Sequence, residues 1–212
     1  MSIPYVAILA NGELPTHEIP KELIQNATKF ICCDGAANRW MELNHRIPDI
    51  FIGDGDSIAH TLKQTYINRF VEIKDQETND LTKAVSYCHS HFPNTPIYIF
   101  GATGRREDHT LGNIFLMEYY FHTFGEAVTL YTNHGCMTIH KNHAQFDGQT
   151  GLQFSIFALN AHKFSSTGLR YPLYDFSSLW QGTLNEAIQT SVTIDAHGIF
   201  LVYRVYPGME SK

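Results

Sequence analysis

Across its first 130 residues the chain alternates short β-type runs with stretches long enough for helices, and this alternation constrains the fold more than any other feature. The runs at residues 5–9, 29–33, 50–52, 70–73, 97–100 and 127–131 are mostly apolar from end to end. Strands that are apolar on both faces must be covered on both faces, which is the situation of a parallel sheet flanked by helices. The intervening stretches 36–43, 58–69, 81–91 and 109–120 have helical length and periodicity, with Asn79 or Asp80 placed to cap the third. The expectation is an α/β domain built on a Rossmann-like, mainly parallel sheet. On the last helix Leu111, Phe115 and Tyr119 share one stripe, which reads as a core-facing side.

After residue 133 the pattern changes. Runs at 136–140, 152–159, 191–195 and 199–205 are separated by Gly, Asn, Asp, Ser and Pro, with turn signals at Asp147-Gly148 and His197-Gly198. Such spacing predicts a C-terminal antiparallel β-sandwich. The division is expected at an α/β domain over 1–133 and a β domain over 134–212, with no low-complexity linker and no internal repeat.

Charge narrows the partners. Fifteen Lys and Arg against 21 Asp and Glu leave a net charge of −6, so the chain has no general basic field for nucleic acid or an anionic membrane surface. No apolar run approaches the roughly 20 residues of a membrane span, and the first ten residues lack the cationic lead-in of a signal peptide. A cytoplasmic protein is expected. Cys32, Cys33, Cys88 and Cys136 have neither metal-site nor disulfide-framework spacing and read as buried thiols.

The chemistry lies in where the carboxylates fall. Asp34 follows the run 29–33, Asp54 and Asp56 follow 50–52, and Asp80 and Asp108 follow the next strands at slightly greater distance. In a parallel sheet all five stand at the carboxyl ends of strands, where open α/β sheets bind ligands. Such a gathering of like charge calls for a hard cation, and Mg²⁺ favours carboxylate oxygen together with phosphate. Gly53-Asp54-Gly55-Asp56-Ser57 is the sharpest piece; taken alone it reads equally as a turn whose Asp56 or Ser57 caps the helix at 58. The loop Gly101-Ala-Thr-Gly-Arg-Arg-Glu-Asp-His109 follows a strand and opens a helix, so its backbone N–H groups and guanidiniums suit a phosphate.

Four segments in order, Asp34-Gly-Ala-Ala-Asn38, Pro48-Asp-Ile-Phe-Ile-Gly-Asp54-Gly-Asp56-Ser57, Asp75-Gln-Glu-Thr-Asn-Asp80-Leu-Thr-Lys83-Ala84 and Gly101 through Asn113, resemble the signature of the thiamine pyrophosphokinase family. The resemblance implies an ATP-dependent homodimer that moves a pyrophosphoryl group to the hydroxyl of thiamine, with thiamine bound where the subunits meet. It implies Mg²⁺ on Asp54, Asp56 and Asp80. It places Asp34, Gly35, Asn38, Ser57, Lys83, Gly101, Thr103, Gly104 and His109 at the nucleotide, Gln76 near the reacting groups, and Arg106 with Asp108 in support of the phosphates. Arg105 stands where the family usually has glycine and is expected to tolerate Ala far better than Arg106. Further along, Gly168-Leu-Arg170-Tyr171 and Leu184-Asn185 match the family loosely, leaving Tyr171 and Asn185 as candidate thiamine contacts. Rival readings are a Mg²⁺-dependent phosphohydrolase and a non-catalytic nucleotide sensor on the same acidic cluster.

Overall fold

The computed structural model describes residues 3–43, 46–125 and 128–209. Two compact units divide the chain, Met1–Asn133 and His134–Lys212. In the first, strands β1 (Val6–Leu9), β2 (Lys29–Cys33), β3 (Ile50–Gly53), β4 (Phe70–Glu72), β5 (Ile97–Phe100) and β6 (Thr129–Tyr131) are all parallel, in spatial order β4-β3-β2-β1-β5-β6. The chain steps outward from β1 to β4 and then returns to lay β5 on the other side of β1. Register keeps the strand ends level, with Leu9 opposite both Cys32 and Phe100 and Cys33 opposite Ile52, so the segments after these strands emerge along one edge. Residue 127, included in the last expected strand, lies outside the described residues.

The doubly apolar strands are buried as their sequences require. All four residues of β1 are buried, and Phe30, Ile31, Phe51, Ile52, Ile99 and Phe100 are fully so. The crossovers are α1 (Glu18–Asn26), α2 (Asp34–Glu42), α3 (His60–Thr65), α4 (Asp80–His91) and α5 (Glu107–Phe124). On one face Trp40 of α2 meets Phe30 edge-on at 5.2 Å, and its indole N–H donates to the Arg46 carbonyl at 2.8 Å. Asn79 caps α4 by accepting from Thr82 N–H at 2.8 Å. Helix α4 buries Leu81, Ala84, Val85 and Cys88 and joins α5 through a buried hydrogen bond of 3.0 Å between the Thr82 and Tyr120 hydroxyls.

One helix was not expected and two expectations change. Helix α1 carries no conventional start signal: its cap is His17, whose Nδ1 accepts from Ile19 N–H at 3.2 Å, and Pro20 sits in the first turn, where its missing N–H costs nothing. The stretch 58–69 is helical only to Thr65 and closes in a 3-10 turn, Ile67–Arg69. Leu111, Phe115 and Tyr119 do not face the core but stand 54, 53 and 45% exposed, because α5 buries its other side through Met117 and Tyr120. All four cysteines are buried and none forms a disulfide, as expected. Among the described residues no helix is long and apolar enough to cross a membrane.

The second unit is antiparallel: β7 (Gly135–Asp147), β8 (Gln153–Ala158), β9 (His162–Thr167), β10 (Asn185–Glu186) and β11 (Ser191–Val205). Strand β11 pairs with β7 along most of its length, with β9 over its first half and with β8 over its second, while β10 flanks β8. His197-Gly198, expected as a turn between two strands, lies inside β11, where the pairing with β7 shifts between Asp195 and Ile199. Gly198 takes φ +117° and donates its N–H to Asn142 Oδ1 at 3.0 Å, so the glycine signal marks a bulge instead of a reversal. Phe154, Ile156, Val192, Ile194, Phe200 and Val202 form the centre of this unit's core.

His140 on β7 sits against the rings of Phe146 and Phe200, with centroids 5.1 and 5.8 Å away, and its Nε2 shares a 2.8 Å hydrogen bond with Thr138 Oγ1. Burial first, and then the positive charges of Arg204 and His143, push its pKa down to about 4. A neutral buried imidazole favours the fold above its unfolded pKa of about 6.5, and that stability is lost as pH falls from there toward 4. Urea unfolding should lose roughly 2–3 kcal/mol over that window from this residue. In His140→Phe, which keeps an aromatic ring in place, the slope should flatten; an unchanged slope would remove His140 as its source.

Candidate functional site

The strand order reverses between β1 and β5, and a cleft of about 350 Å³ opens at their carboxyl ends, a volume within the range of small-molecule sites. Its floor is made by two loops in close contact. Ala10 N–H donates to Phe100 O at 2.8 Å, Gly12 N–H to Gly101 O at 2.5 Å and Glu13 N–H to Thr103 O at 2.7 Å. Both glycines are needed: a Cβ on Gly12 would stand 2.3 Å from Gly101 O, and Gly101 adopts φ +62°. Around this floor stand Asn11, Cys33, Asp80, Thr103, Arg105, Arg106, His109 and Asn113.

Beside the cleft, the first turn of α2 and the loop after β3 are locked together. Asp34 is fully buried, and its Oδ2 accepts Gly55 N–H at 2.8 Å and Ser57 N–H at 3.4 Å. Asn38, one turn later, donates to Ser57 O and accepts from Ala59 N–H, both at 2.8 Å. Asn38 and Ser57 thus shape the acidic loop. Gly53 is forced by proximity, since a Cβ there would lie 2.4 Å from Asp34 Cβ. Gly35 likewise gives way to the Asn11 side chain. The loop holds Asp54 half-buried and Asp56 exposed. Asp54 accepts from Asp56 N–H at 3.1 Å and from Gln76 Nε2 at 3.3 Å. These bonds, with the charge of Lys83, hold its carboxyl below the usual range.

Asp34 is pushed the other way, above the ordinary carboxylate range, chiefly by burial and further by the charges of Asp80 and Asp54. Its Oδ1 is buried without any partner. Lys83, only 5% exposed, places its ammonium 3.2 Å from Asp80 Oδ1 and also lowers the pKa of the exposed Asp75. The basic rim opens with Arg106, which is not free: its Nε and Nη2 grip both oxygens of Asp108 at 3.1 and 2.6 Å. That pair is exposed on both sides. His109 N–H donates to Asp108 Oδ1 at 2.9 Å, and Gly104 lies against the Glu13 side chain.

Among the described residues no three His, Cys, Asp or Glu side chains are gathered to hold a metal. The donor set nonetheless fits a hard cation. Asp34 Oδ1 is an orphaned carboxylate oxygen within the influence of Asp54 and Asp80, and Mg²⁺ typically takes one or two carboxylates and completes its shell with phosphate and water.

In the second unit, Tyr171 presents a ring in a residue 61% exposed. Asn185 is buried: its Oδ1 accepts from Tyr171 N–H at 3.1 Å and Glu186 N–H at 2.9 Å, and one N–H of its Nδ2 donates to Tyr171 O at 2.7 Å. It sets the Tyr171 backbone. Trp180 is 71% exposed, and Leu184 holds φ +60°, an uncommon conformation for leucine.

Asp80, Thr103, Arg106 and His109, expected at the site from sequence, line the cleft with Arg105 of the same loop, whereas the loop after β1, Ala10-Asn11-Gly12, and Arg39 had no expected role. The available signal was the Asn-Gly pair directly after the most apolar strand. By fold and site this is an α/β protein with a cleft at the reversal of a parallel sheet, the place where open α/β sheets bind ligands, and with an acidic loop alongside.

Comparison with known proteins sharpens that class. Residues 20–142 match the thiamin pyrophosphokinase catalytic domain and residues 135–203 its substrate-binding domain, and the chain belongs to the thiamin pyrophosphokinase family. Thiamine pyrophosphokinase 1 of Oryza sativa subsp. japonica is 33% identical over 136 residues, covering 53% of this chain and 51% of the relative. Thiamin pyrophosphokinase 1 of Caenorhabditis elegans is 30% identical over 117 residues, covering 51% and 48%. The chain spans about half the length of the curated relatives it matches. The crystal structure of thiamine pyrophosphokinase from Bacillus subtilis shares the fold with a TM-score of 0.80 at 22% identity, over 96% of this chain and 99% of that one. The yeast structure gives 0.81 at 16%, over 96% and 86%. None of these comparisons supports the phosphohydrolase or the sensor.

The raised pKa of Asp34 has a measurable sign. Its ionised form is disfavoured in the fold, so the carboxylate costs stability above its folded pKa, and that cost disappears as pH falls and the proton returns. Asp34→Asn keeps an oxygen for Gly55 and Ser57 while removing the charge. In EDTA at pH 7 its Tm should equal or exceed that of the wild type, with the gap closing toward pH 4. A markedly lower Tm at pH 7 would show that the charge itself supports the loop.

Proposed function

We propose that this chain transfers the pyrophosphoryl group of Mg-ATP to the hydroxyl of thiamine, giving thiamine diphosphate and AMP. The observation that carries the reading is the cleft at the strand-order reversal, lined by Asp80 and by the guanidiniums of Arg105 and Arg106, in a chain matched in sequence by the family's catalytic and substrate-binding domains. In this reading the first unit is a Rossmann-like ATP- and Mg²⁺-binding catalytic domain. The second is a β-sandwich that binds thiamine and forms a homodimer, and the protein works in the cytoplasm.

Pyrophosphoryl transfer asks a protein for alignment and charge stabilisation more than for a nucleophile. Asp54, Asp56 and Asp80 offer the oxygens for Mg²⁺, with Asp34 behind them, and the ion supplies charge neutralisation when bound. Gln76 steadies Asp54. Backbone N–H groups of the Gly101–His109 loop face the phosphates, at the start of the 18-residue helix α5. The thiamine hydroxyl oxygen bonds to the β-phosphorus as the bond from that phosphorus to the oxygen bridging the α-phosphate breaks, and AMP leaves with that oxygen. The hydroxyl proton passes to a carboxylate at the cleft. Asp108 is less suited to that proton, because Arg106 holds both of its oxygens and lowers its pKa. Tyr171 offers a flat surface for a cationic ring, with cation–π attraction of about 0.5–2 kcal/mol.

Incubation with Mg-ATP and thiamine should yield AMP and thiamine diphosphate in equal amounts; ADP as the nucleotide product would overturn the reading. Asp54→Asn and Asp56→Asn should each lose turnover by about a hundredfold or more while keeping the wild-type circular dichroism spectrum, because an isosteric amide removes charge but little volume. Near-wild-type rates at saturating Mg²⁺ would take these residues out of the metal site. Tyr171→Ala should raise the KM for thiamine several-fold, as loss of about 1 kcal/mol requires, with ATP binding unaltered. An unchanged thiamine KM would place the acceptor elsewhere.

A further inference from the structure

The basic side of the cleft contains two guanidiniums that the acidic residues leave alone. Arg106 is neutralised by Asp108. Among the described residues, neither Arg105 nor Arg39 has a carboxylate within ion-pair distance. Both instead reach the same short segment after β1. Arg39 Nη2 donates to Gly12 O at 2.5 Å and to Asn11 Oδ1 at 3.2 Å. Arg105 Nη1 donates to Asn11 O at 3.3 Å and to Asn11 Oδ1 at 3.4 Å. Arg39 Nε is buried with no partner. The two charges repel each other: burial, and then the nearby Arg105, lower the pKa of Arg39. Two cations sharing one neutral side chain leave a positive potential at the cleft, which an anion bound there would relieve. Arg105 lines the cleft itself, whereas Arg39 lies against the loop that forms its floor.

We propose that Arg105, stationed by Asn11 and backed by Arg39, is the principal guanidinium that meets the phosphate chain of a nucleotide in this cleft. The proposal rests on the nucleotide reading given under Proposed function and assigns one contact within it. Arg105 occupies a position that is glycine in the motif the sequence resembles, so it gives this chain a contact beyond that motif. The sequence expectation had Arg105 dispensable and Arg106 essential; this proposal gives the larger share of binding to Arg105, because Arg106 is engaged with Asp108. Arg39 is a positioning residue that holds the Asn11-Gly12 carbonyl and amide groups in place. A guanidinium with open N–H donors can take two phosphate oxygens at once, which an ammonium cannot.

The test is calorimetric titration of the full chain with a Mg²⁺-bound ATP analogue whose α- and β-phosphates are bridged by methylene, so that no transfer occurs. Arg105→Ala should weaken binding at least tenfold, Arg105→Lys should fall between it and the wild type, and Arg106→Ala should lose less than Arg105→Ala. Because Arg105 is exposed, its variants should melt at the wild-type temperature, separating lost contact from lost fold. Wild-type affinity in Arg105→Ala, or a larger loss in Arg106→Ala, would overturn the assignment while leaving the nucleotide reading intact. Failure of the wild-type chain to bind the analogue would overturn both.

Discussion

The carboxylate of Asp34 has no access to solvent, and the first unit's acidic edge is organised around that fact. One of its oxygens gathers the Gly55 and Ser57 N–H groups, which bends the loop after β3 back over the start of α2. The other oxygen has nothing. A buried ionised group with an empty acceptor site is unfavourable in isolation, and it persists only where the surrounding packing fixes it. Here the packing is the glycine contact at Gly53, the Asn38 clamp and the level register of β2 and β3. Asp54 and Asp80 add their own repulsion, so the edge is strained toward a cation before any ligand is considered.

The protein answers that strain with separation of charge. Lys83 lies buried against Asp80 and acts as a resident counter-charge on the acidic side, its field reaching Asp54 more weakly. Across the cleft floor, Arg39 and Arg105 gather on neutral oxygens and lack a counter-charge of their own. In the proposed function, a magnesium nucleotide would set its cation toward one side and its phosphates toward the other. The two charged sides meet because β1 lies between β2 and β5, which puts the segments after all three strands around one opening.

Much of this was legible in the chain as written. Strands apolar on both faces specify burial on both faces and hence a parallel sheet, whatever the identity of the neighbours. The positions of Asp34, Asp54, Asp56 and Asp80 directly after strands or at a helix start required only the pattern and the rule that such ends share an edge. The cap at Asn79 followed from local hydrogen-bonding chemistry. Helix α1 escaped because a histidine cap lies outside the usual signals, and the Gly198 bulge escaped because a glycine with positive φ serves a bulge and a turn equally.

Which side of a helix is covered, and which charge is already spent, were settled only by tertiary structure. Leu111, Phe115 and Tyr119 have the same spacing whether buried or exposed; the Tyr120–Thr82 contact decided it. Arg105 and Arg106 are adjacent, chemically identical and both at the cleft, yet Arg106 is paired with Asp108 while Arg105 reaches the neutral oxygens of Asn11, a difference set by local geometry that residue type cannot express. Asn185, a candidate substrate contact by residue type, makes three bonds to backbone and so fixes the chain at Tyr171. Sequence determined the sheet, the strand ends and the acidic positions, because periodicity and residue chemistry act locally. Only the folded chain determined which polar atoms remain free, because that depends on neighbours distant in sequence and near in space.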